Sequence, residues 1–446
     1  MKSFWSYFAC IALIISQSAL AAAADWIPNV KPVGDPNGNY LNVEITEDGR
    51  YMVWFEGKNG SSTQGTMWHC MIDQKTGDLI PSDCRGFRAF ESTSWGRGNP
   101  GYDAEGPYYT GADTQGRLIM VRPTGATTGK VTVLPTPPDT RRRAVYPANL
   151  QSGKKDYVFF IQNEKTPGAG VRPRNDWVEL QYVDLAQPAQ VHTIERQNTP
   201  ARGFAPMDAG FVRWMRGQPI ITFGHMSEKT GKVEIHGFDA EQPGRGTFSL
   251  IEDGANKIDP YPAAIDGYEY VMAGINATAT SHIYRRRAGG RDDAPFELYR
   301  TLYPDGSRLT DPSLAQSHEP FQFQGRLYTV YEVNNRGRGF FDTTFKQPGE
   351  LWLADLSANP VKQWRIAPDK EGPITEPEPL VTDTCAWIFY NRPMVEASVD
   401  QASNQTGAQT KSLREMIRER LLGRPVRTSF PRMALYRAAV PMCGRN

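Results

Sequence analysis

Seven segments of the chain share one pattern, and this recurrence limits the fold more than any other feature of the sequence. Each segment holds a short strand-forming stretch, a polar or glycine-containing turn, and a second stretch rich in β-branched and aromatic residues. A third such stretch usually follows, and a fourth is visible in places. The second stretches centre near Trp54, Met120, Phe159, Phe223, Val271, Tyr331 and Phe389.

Four short antiparallel strands per unit, repeated at ~40–50 residues or more, are typical of β-propeller blades. Two β-sandwich domains would also contain short strands, but they would not explain why an acid, a proline and a turn recur together. We therefore predict an all-β protein in which residues 25–446 form one seven-bladed β-propeller of four-stranded antiparallel blades.

The two ends of the chain complete the predicted ring. The last unit lacks a fourth strand, so we expect residues 25–30 (DWIPNV) to supply the outer strand of the last blade. A helical insertion is predicted at about residues 408–423, where apolar residues recur at helical spacing before Gly423. This helix would pack on the surface of the ring or, in the alternative, bind a partner.

Residues 1–24 have the features of a signal peptide that is removed on export. Lys2 supplies a positive start, and the apolar run at residues 8–15 is shorter than the ~20 residues of a membrane anchor. We predict a monomeric protein of the periplasm or the extracellular medium, with no membrane span and with cleavage between Ala21 and Asp25. The 50 Lys and Arg against 49 Asp and Glu argue against nucleic acid as a partner.

Four of the five cysteines lie outside the signal peptide, and an even number in an exported protein favours disulfides. Four cysteines allow three connectivities. Cys70 and Cys84 flank one predicted hairpin turn in the first blade, and Cys385 and Cys443 lie at adjoining ends of two strands expected to pair in the last blade. We therefore predict the disulfides Cys70–Cys84 and Cys385–Cys443.

The repeated acid, proline and turn resemble the TolB-like propeller repeats of bacterial periplasmic proteins. The matching stretches, from best to weakest, are Asp259-Pro260 with Asp266-Gly267, Glu319-Pro320 with Gly325, and Glu376-Pro377 with Asp383. The first unit keeps only its turn, and the third and fourth units lack the signature. The resemblance covers the ring by repetition, and it implies a propeller that binds partners rather than one that catalyses a reaction.

Acidic residues stand near the predicted starts of five units: Glu105, Asp208, Asp259, Glu319 and Glu376. In a propeller these positions would converge on the mouth of the central channel. Converging carboxylates repel one another, so they would raise one another's pKa or hold a divalent cation such as calcium. The alternative is that each acid caps backbone N–H groups in its own turn. We predict no other cofactor.

A second resemblance is to the five-bladed arabinanase- and xylosidase-type glycoside hydrolases. It is carried by the EGP that begins at Glu105 and by the acid–proline pairs at Asp259 and Glu319. It implies that Glu105 or Glu319 donates a proton while Asp259 acts as the base or orients it, since two carboxylates must flank the glycosidic bond. The chain departs from that family in blade number, in the order of the acids and in the first unit, which has no acid–proline pair.

Further side chains are candidates for ligand binding. They are Trp95, Tyr102, Tyr108, Asp208, His318 and Glu376. The three aromatic members lie in the loop SWGRGNPGYDAEGPYY, where they would stack on a sugar face or merely cover a blade edge. The six histidines include no i, i+4 pair, so no metal site is predicted. A site built from His225, His318 and a channel acid is the alternative.

The function that these features favour is an exported binding module, whose channel mouth and loops face an envelope protein or a saccharide. The alternative is a glycan-active enzyme, a glycoside hydrolase or a lyase, that uses Glu105, Asp259 and Glu319. Gly-x-Ser-x-Gly, His-Glu-x-x-His and phosphate-binding motifs are absent from the sequence, which removes support from the serine hydrolase, zinc peptidase and nucleotidase classes.

Overall fold

A computed structural model gives the arrangement of seven sheets in a ring. It describes residues 24–25, 30–35, 38–46, 48–57, 65–88, 99–103, 105–112, 117–125, 128–135, 142–152, 155–164, 177–198, 213–214, 219–275, 280–289, 294–304, 313–335, 349–368, 375–393, 433–441 and 443. The helical segments in these ranges are the 3₁₀ turns Pro81–Asp83 and Pro243–Arg245. No helix there is long and apolar enough to cross a membrane. The predicted signal peptide up to residue 23 and the predicted helix at 408–423 lie outside the described residues.

The first four blades follow the order of the chain, each from its innermost strand outward. Blade 1 contains β3 (Tyr40–Ile45), β4 (Tyr51–Gly57), β5 (Gly65–Met71) and β6 (Arg85–Arg88). Blade 2 contains β7 (Asn99–Asp103), β8 (Gly106–Ala112), β9 (Leu118–Pro123) and β10 (Gly129–Val133). Blade 3 contains β11 (Arg142–Ser152), β12 (Lys155–Glu164), β13 (Trp177–Asp184) and β14 (Val191–Asn198). Blade 4 contains β15 (Arg213–Trp214), β16 (Ile220–Met226), β17 (Val233–Asp239) and β18 (Thr247–Ile251).

The last three blades continue this order and include two strands from the start of the chain. Blade 5 contains β19 (Lys257–Ile265), β20 (Tyr268–Ile275), β21 (Ser281–Arg287) and β22 (Glu297–Leu302). Blade 6 contains β23 (Ser313–Phe323), β24 (Arg326–Asn335), β25 (Gly349–Asp355) and β26 (Lys362–Pro368), with the short β1 (Ala24–Asp25) added in parallel. Blade 7 contains β27 (Thr375–Val381), β28 (Ala386–Pro393), β29 (Met433–Ala439) and β2 (Val30–Val33).

The predicted seven-bladed, four-stranded architecture is therefore confirmed, and so is the way the ring closes. β2 pairs antiparallel with β29, so the start of the chain supplies the outer strand of the last blade. Within the described residues the closing strand is Val30–Val33, which includes Val30 of the predicted residues 25–30. Asp25 instead pairs with blade 6. Both junctions hide strand edges that would otherwise expose unpaired backbone groups.

Seven apolar clusters hold the ring together, one between each pair of neighbouring blades. Because successive side chains of a strand point to opposite faces, a middle strand contributes alternately to its two neighbours. On β24, Val330 packs towards blade 7 and Tyr331 packs towards blade 5. The middle strands are thus buried on both faces, which explains why the second stretch of each repeat reads as an almost continuous apolar run.

Within the described residues, five of the seven innermost strands carry a β-bulge, where two residues lie opposite one residue of the next strand. The bulged pairs are Asn42-Val43, Tyr146-Pro147, Asp259-Pro260, Ser317-His318 and Glu376-Pro377. A bulge tolerates proline because one of its residues makes no ladder hydrogen bond. The acid–proline pairs at Asp259 and Glu376 are therefore bulge residues. Glu319-Pro320 directly follows the bulge of β23, so the predicted equivalence of Glu319 with Asp259 is wrong, and Ser317 occupies that place.

Two covalent links lie in the first and last blades. The disulfide Cys70–Cys84 joins β5 to the segment before β6, and Cys385–Cys443 joins the start of β28 to the segment after β29. Both pairs are those that the sequence predicts. The second link fastens the C-terminal segment to its blade across 58 residues of sequence, and such a loop closure stabilises a fold by ~2–4 kcal/mol.

Candidate functional site

Each blade begins at its innermost strand, so the seven innermost strands run in the same direction and the ring has two distinct faces. The start face is defined by the bulges at Asp259 and Ser317, close to the beginnings of β19 and β23. The turn face is defined by the hairpin turns Asp266-Gly267 and Gln324-Gly325, where the same strands end. Predicted site residues near strand starts belong to the first face.

Asp259 fastens two blades together at the start face. Its side chain is only 3% exposed, and its Oδ2 accepts a hydrogen bond from the backbone N–H of Ser317 at 2.9 Å. Asp259 and Ser317 both have φ 51°, a left-handed conformation that Asp adopts more readily than most residues. The carboxylate of blade 5 thus caps the bulge of blade 6.

His318 is completely buried beside this bond. Its Nε2 lies 2.7 Å from Oγ of Ser281 in blade 5, and its ring stacks on Tyr331 with centroids 5.5 Å apart. Burial lowers the pKa of His318 to about 3, so the imidazole is neutral at physiological pH. The partners that the structure gives this predicted ligand-binding residue are groups of the protein itself.

A second buried carboxylate contacts the same bulge. Glu332 of β24 is 1% exposed; its Oε1 accepts a hydrogen bond from Nε2 of Gln316 and lies 3.2 Å from Oγ of Ser317. Asp259 and Glu332 therefore bind one serine from two sides. No sequence motif marks Glu332, because it lies in the middle of an apolar strand and far along the chain from Asp259-Pro260.

Glu105 lies on the other face of the ring. It occupies the turn between β7 and β8, where the innermost strand of blade 2 ends. Its side chain is 77% exposed, and its Oε2 is 3.3 Å from Nε of Arg122. The expectation that Glu105 stands at the start of a blade is wrong, because Gly106–Ala112 is the second strand of blade 2 and Asn99–Asp103 is the first.

The structure describes some of the remaining predicted residues and not others. Tyr108 is fully buried, with the guanidinium of Arg122 5.3 Å above its ring, and Glu319 is half-buried on β23. Trp95 and Asp208 lie outside the described residues, as do the side chains of Tyr102 on β7 and Glu376 in the bulge of β27. The structure therefore brings Asp259 close to the β23 bulge and leaves Glu105 on the opposite face.

A different polar cluster joins blades 3 and 4, and it consists of Glu195 on β14, His225 on β16 and His236 on β17. One candidate ligand atom from each of the three lies within 4.8 Å of the other two. His225 donates from Nδ1 to Oε1 of Glu195 at 2.6 Å. The two imidazole rings stack with centroids 3.9 Å apart and planes 11° apart. We call these three residues the His–Glu cluster.

Gln197 positions the carboxylate of the His–Glu cluster. Its Nε2 donates to Oε1 of Glu195 at 2.6 Å, and its Oε1 accepts from the backbone N–H of Met226 at 3.3 Å. The side-chain amide therefore binds both blades at once. It fixes the orientation of Glu195 relative to β16, the strand that carries His225.

The electrostatic environment of the His–Glu cluster is anionic. Burial raises the pKa of Glu195, but hydrogen bonds from His225 and Gln197 outweigh this effect and leave the pKa below its usual value. The hydrogen bond to Glu195 raises the pKa of His225. Burial, together with the charge of His225, lowers the pKa of His236. Two further carboxylates lie near the rings, those of Glu234 and Glu252.

Part of this cluster could be predicted from the sequence. His225 and His236 flank one hairpin, and the pairing of Met226 with Val233 places both rings on the same face of the sheet at diagonal positions. Glu195 comes from another blade, so no local pattern connects it to them. The alternative site of His225 and His318 is not formed, because His225 contacts Glu195 and His236 whereas His318 contacts Ser281.

The described residues thus define a seven-bladed β-propeller. Asp259 joins blades 5 and 6 at its start face, and the His–Glu cluster joins blades 3 and 4. No protein-family model matches the sequence, and a search of curated proteins gave no match. Among solved structures, the chain is similar to the endosialidase of phage phi92, with a TM-score of 0.45, 10% identity, and coverage of 92% of this chain and 68% of that chain.

The chain is also similar to two other solved structures. One is a sialidase of Trypanosoma rangeli in complex with sialic acid, with a TM-score of 0.41, 9% identity and coverage of 94% of this chain. The chain spans 60% of the length of that sialidase chain. The other is the catalytic domain of a GH62 α-L-arabinofuranosidase of Coprinopsis cinerea, with a TM-score of 0.32, 10% identity, and coverage of 69% of this chain and 93% of that chain.

Proposed function

We propose that the protein is an exported binding module, whose propeller presents the mouth of its channel and the surrounding loops to a saccharide or an envelope protein. The observation that carries this proposal is the structural use of Asp259. Its carboxylate is buried and caps the bulge of the neighbouring blade. A carboxylate committed in this way stabilises the rim of a rigid platform.

The position of Glu105 supports the same conclusion. A glycoside hydrolase needs two carboxylates ~5–10 Å apart on either side of the scissile bond. Glu105 lies on the turn face and contacts Arg122, whereas Asp259 lies on the start face. The predicted acid and base are therefore held by different groups on different faces, which favours binding over hydrolysis by this set of residues.

Export is supported by the two disulfides, because disulfides persist in oxidising compartments such as the periplasm and the extracellular medium. It agrees with the signal-peptide features of residues 1–24 in the sequence. The TolB-like character of the repeats remains part of this proposal. Its acid–proline pairs coincide with innermost-strand bulges at Asp259 and Glu376.

A glycan-active enzyme is the second candidate, and one specific observation favours it. Asp259 and Glu332 are both buried, and both bind Ser317 near the channel. Paired carboxylates around one small polar group resemble an acid–base pair more closely than Glu105 and Asp259 do. In this candidate Glu319 of β23, two residues after Ser317, would be a third acidic group.

The experiment is a parallel screen for binding and turnover. The purified mature protein is tested by glycan array and by pull-down from envelope extract, and it is incubated with polysaccharides and aryl glycosides. The variants Glu319→Gln and Glu332→Gln are tested beside Glu105→Gln, which serves as the control on the opposite face. We expect a bound saccharide or protein without turnover. Turnover that disappears in Glu319→Gln or Glu332→Gln but persists in Glu105→Gln would replace the binding module with the enzyme.

A further inference from the structure

We propose that the His–Glu cluster binds a zinc ion that links blades 3 and 4. The types of ligand in the cluster favour zinc. Imidazole nitrogen together with a carboxylate oxygen suits Zn²⁺, whereas Ca²⁺ and Mg²⁺ prefer sites made only of oxygen. Glu195, His225 and His236 supply two nitrogens and one carboxylate, and their ligand atoms fall within 4.8 Å of one another.

Buried polar atoms at this place are a second observation. Oε2 of Glu195 and both ring nitrogens of His236 are buried and have no hydrogen-bond partner among the described residues. Oε1 of Glu252 lies 3.9 Å from Nε2 of His236, which is beyond hydrogen-bond distance. Burying polar atoms without partners is unfavourable. A cation bound by Glu195 and His236 would satisfy an atom of each at the same time.

The surrounding charge also favours a cation. Besides Glu195, the carboxylates of Glu234 and Glu252 lie close to His236, with one oxygen of each within 4.8 Å of a ring nitrogen. Glu195 approaches from the outermost strand of blade 3, and the two histidines belong to the middle strands of blade 4. A bound ion would therefore cross-link two blades that already meet through apolar packing and through the hydrogen bonds of Glu195 and Gln197.

Three protein ligands leave one of the four positions of tetrahedral zinc open. The side chain of Glu252 is 56% exposed and lies beside His236, so this position faces the surface. Glu252 or a water molecule would complete the coordination. Gln197 holds Glu195 by a hydrogen bond of 2.6 Å, and such an outer contact orients a metal-binding carboxylate.

The test measures zinc binding to the full mature chain after treatment with a chelator and dialysis. Isothermal titration with zinc chloride and metal analysis should give one zinc per chain. We expect Glu195→Gln, His225→Gln and His236→Gln each to weaken the affinity at least ~10-fold, since loss of a ligand removes a metal–protein bond. His192→Gln is the matched control: His192 lies on the same strand as Glu195, but it stacks on Tyr182 instead, and this variant should bind as the wild type does.

A spectroscopic measurement on the wild type covers the case in which a variant fails to fold. Titration of protein labelled in its histidine rings should shift the resonances of His225 and His236 and leave those of the other four histidines in place. The proposal is overturned if the wild type binds no stoichiometric zinc, if all three cluster variants bind like the wild type, or if His192→Gln loses as much affinity as they do.

Discussion

Two junctions of the ring are fastened by the same residue types and differ in what those residues contact. Between blades 5 and 6, the carboxylate of Asp259 binds a backbone N–H, and His318 binds the hydroxyl of Ser281. Between blades 3 and 4, the carboxylate of Glu195 binds His225 directly. A carboxylate and a histidine cross from one blade to the next in both places, but only the second junction pairs them with each other.

This comparison shows that burial and neighbouring charge, rather than residue type, determine the pKa and the role of a histidine in this fold. At His318 burial lowers the pKa to about 3, so the ring is a neutral packing group. At His225 the adjoining carboxylate raises the pKa. The first junction is therefore suited to rigidity, and the second brings together the carboxylate and the ring nitrogens that a metal ion requires.

The largest effect should come from acid acting on His318. The folded pKa of about 3 lies below the ordinary 6.5, so the unfolded chain takes up a proton that the folded chain does not. The stability conferred by the neutral ring is complete above pH ~6.5 and is lost as the pH falls towards ~3. The full shift corresponds to about 5 kcal/mol. In urea unfolding between about pH 7 and pH 4, stability should fall less steeply in His318→Gln than in the wild type, and parallel curves would contradict the assignment.

The second prediction separates the two junctions by their response to zinc. A ligand present at 100 times its dissociation constant raises the free energy of unfolding by ~2.7 kcal/mol. We expect this increase in stability in the wild type and in His318→Gln, because the junction between blades 5 and 6 does not contribute a ligand. It should disappear in Glu195→Gln. Thermal unfolding with and without zinc measures the effect. If zinc failed to stabilise His318→Gln but still stabilised Glu195→Gln, the zinc site would lie between blades 5 and 6 instead.

The third prediction concerns the carboxylate at the start face. Replacing Asp259 by alanine leaves the partly buried N–H of Ser317 without this acceptor and puts alanine at φ 51°. Hydrogen bonds to charged groups contribute ~1.5–3 kcal/mol, and we expect a loss of about that size plus a smaller conformational cost. Gln324→Ala is the control, since Gln324 has a similar φ of 48° in an exposed turn. Equal losses in the two variants would show that the contact between the blades contributes nothing.

The arrangement of blades could be read from the sequence because it follows local rules. Apolar runs with polar turns identified six of the seven second strands, from Trp54 on β4 to Phe389 on β28. The exception is blade 2, where Met120 belongs to the third strand. Its innermost strand, Asn99–Asp103, begins with Asn, Pro and Gly, which are residues that local preference assigns to turns.

The sites were harder to predict because they depend on contacts between blades. The acid–proline motif marked the bulge at Asp259, but its partner, the N–H of Ser317, lies 58 residues away along the chain. Strand register within one hairpin relates His225 to His236, whereas Glu195 is brought to them by the packing of blade 3 on blade 4. Nothing in the local pattern of either segment encodes that packing.

The smallest expected effect tests how His318 is held. Ser281 and His318 are both fully buried, and their side chains are 2.7 Å apart. Ser281→Ala removes this hydrogen bond and should lower the free energy of unfolding by ~1 kcal/mol. Ser249→Ala, on the exposed edge strand β18, should change it by less than ~0.5 kcal/mol.

A double-mutant cycle with His318→Gln then isolates the contact itself. Residues in one hydrogen-bonded pair show coupling energies of ~0.5 kcal/mol or more, whereas independent residues are additive. If the losses of unfolding free energy in Ser281→Ala and His318→Gln add up strictly in the double variant, the serine merely fills space beside the ring. Zinc affinity should be unchanged in Ser281→Ala, since Ser281 lies on β21 of blade 5 and the His–Glu cluster lies between blades 3 and 4. A weakened affinity would mean that the two junctions are coupled through blade 4.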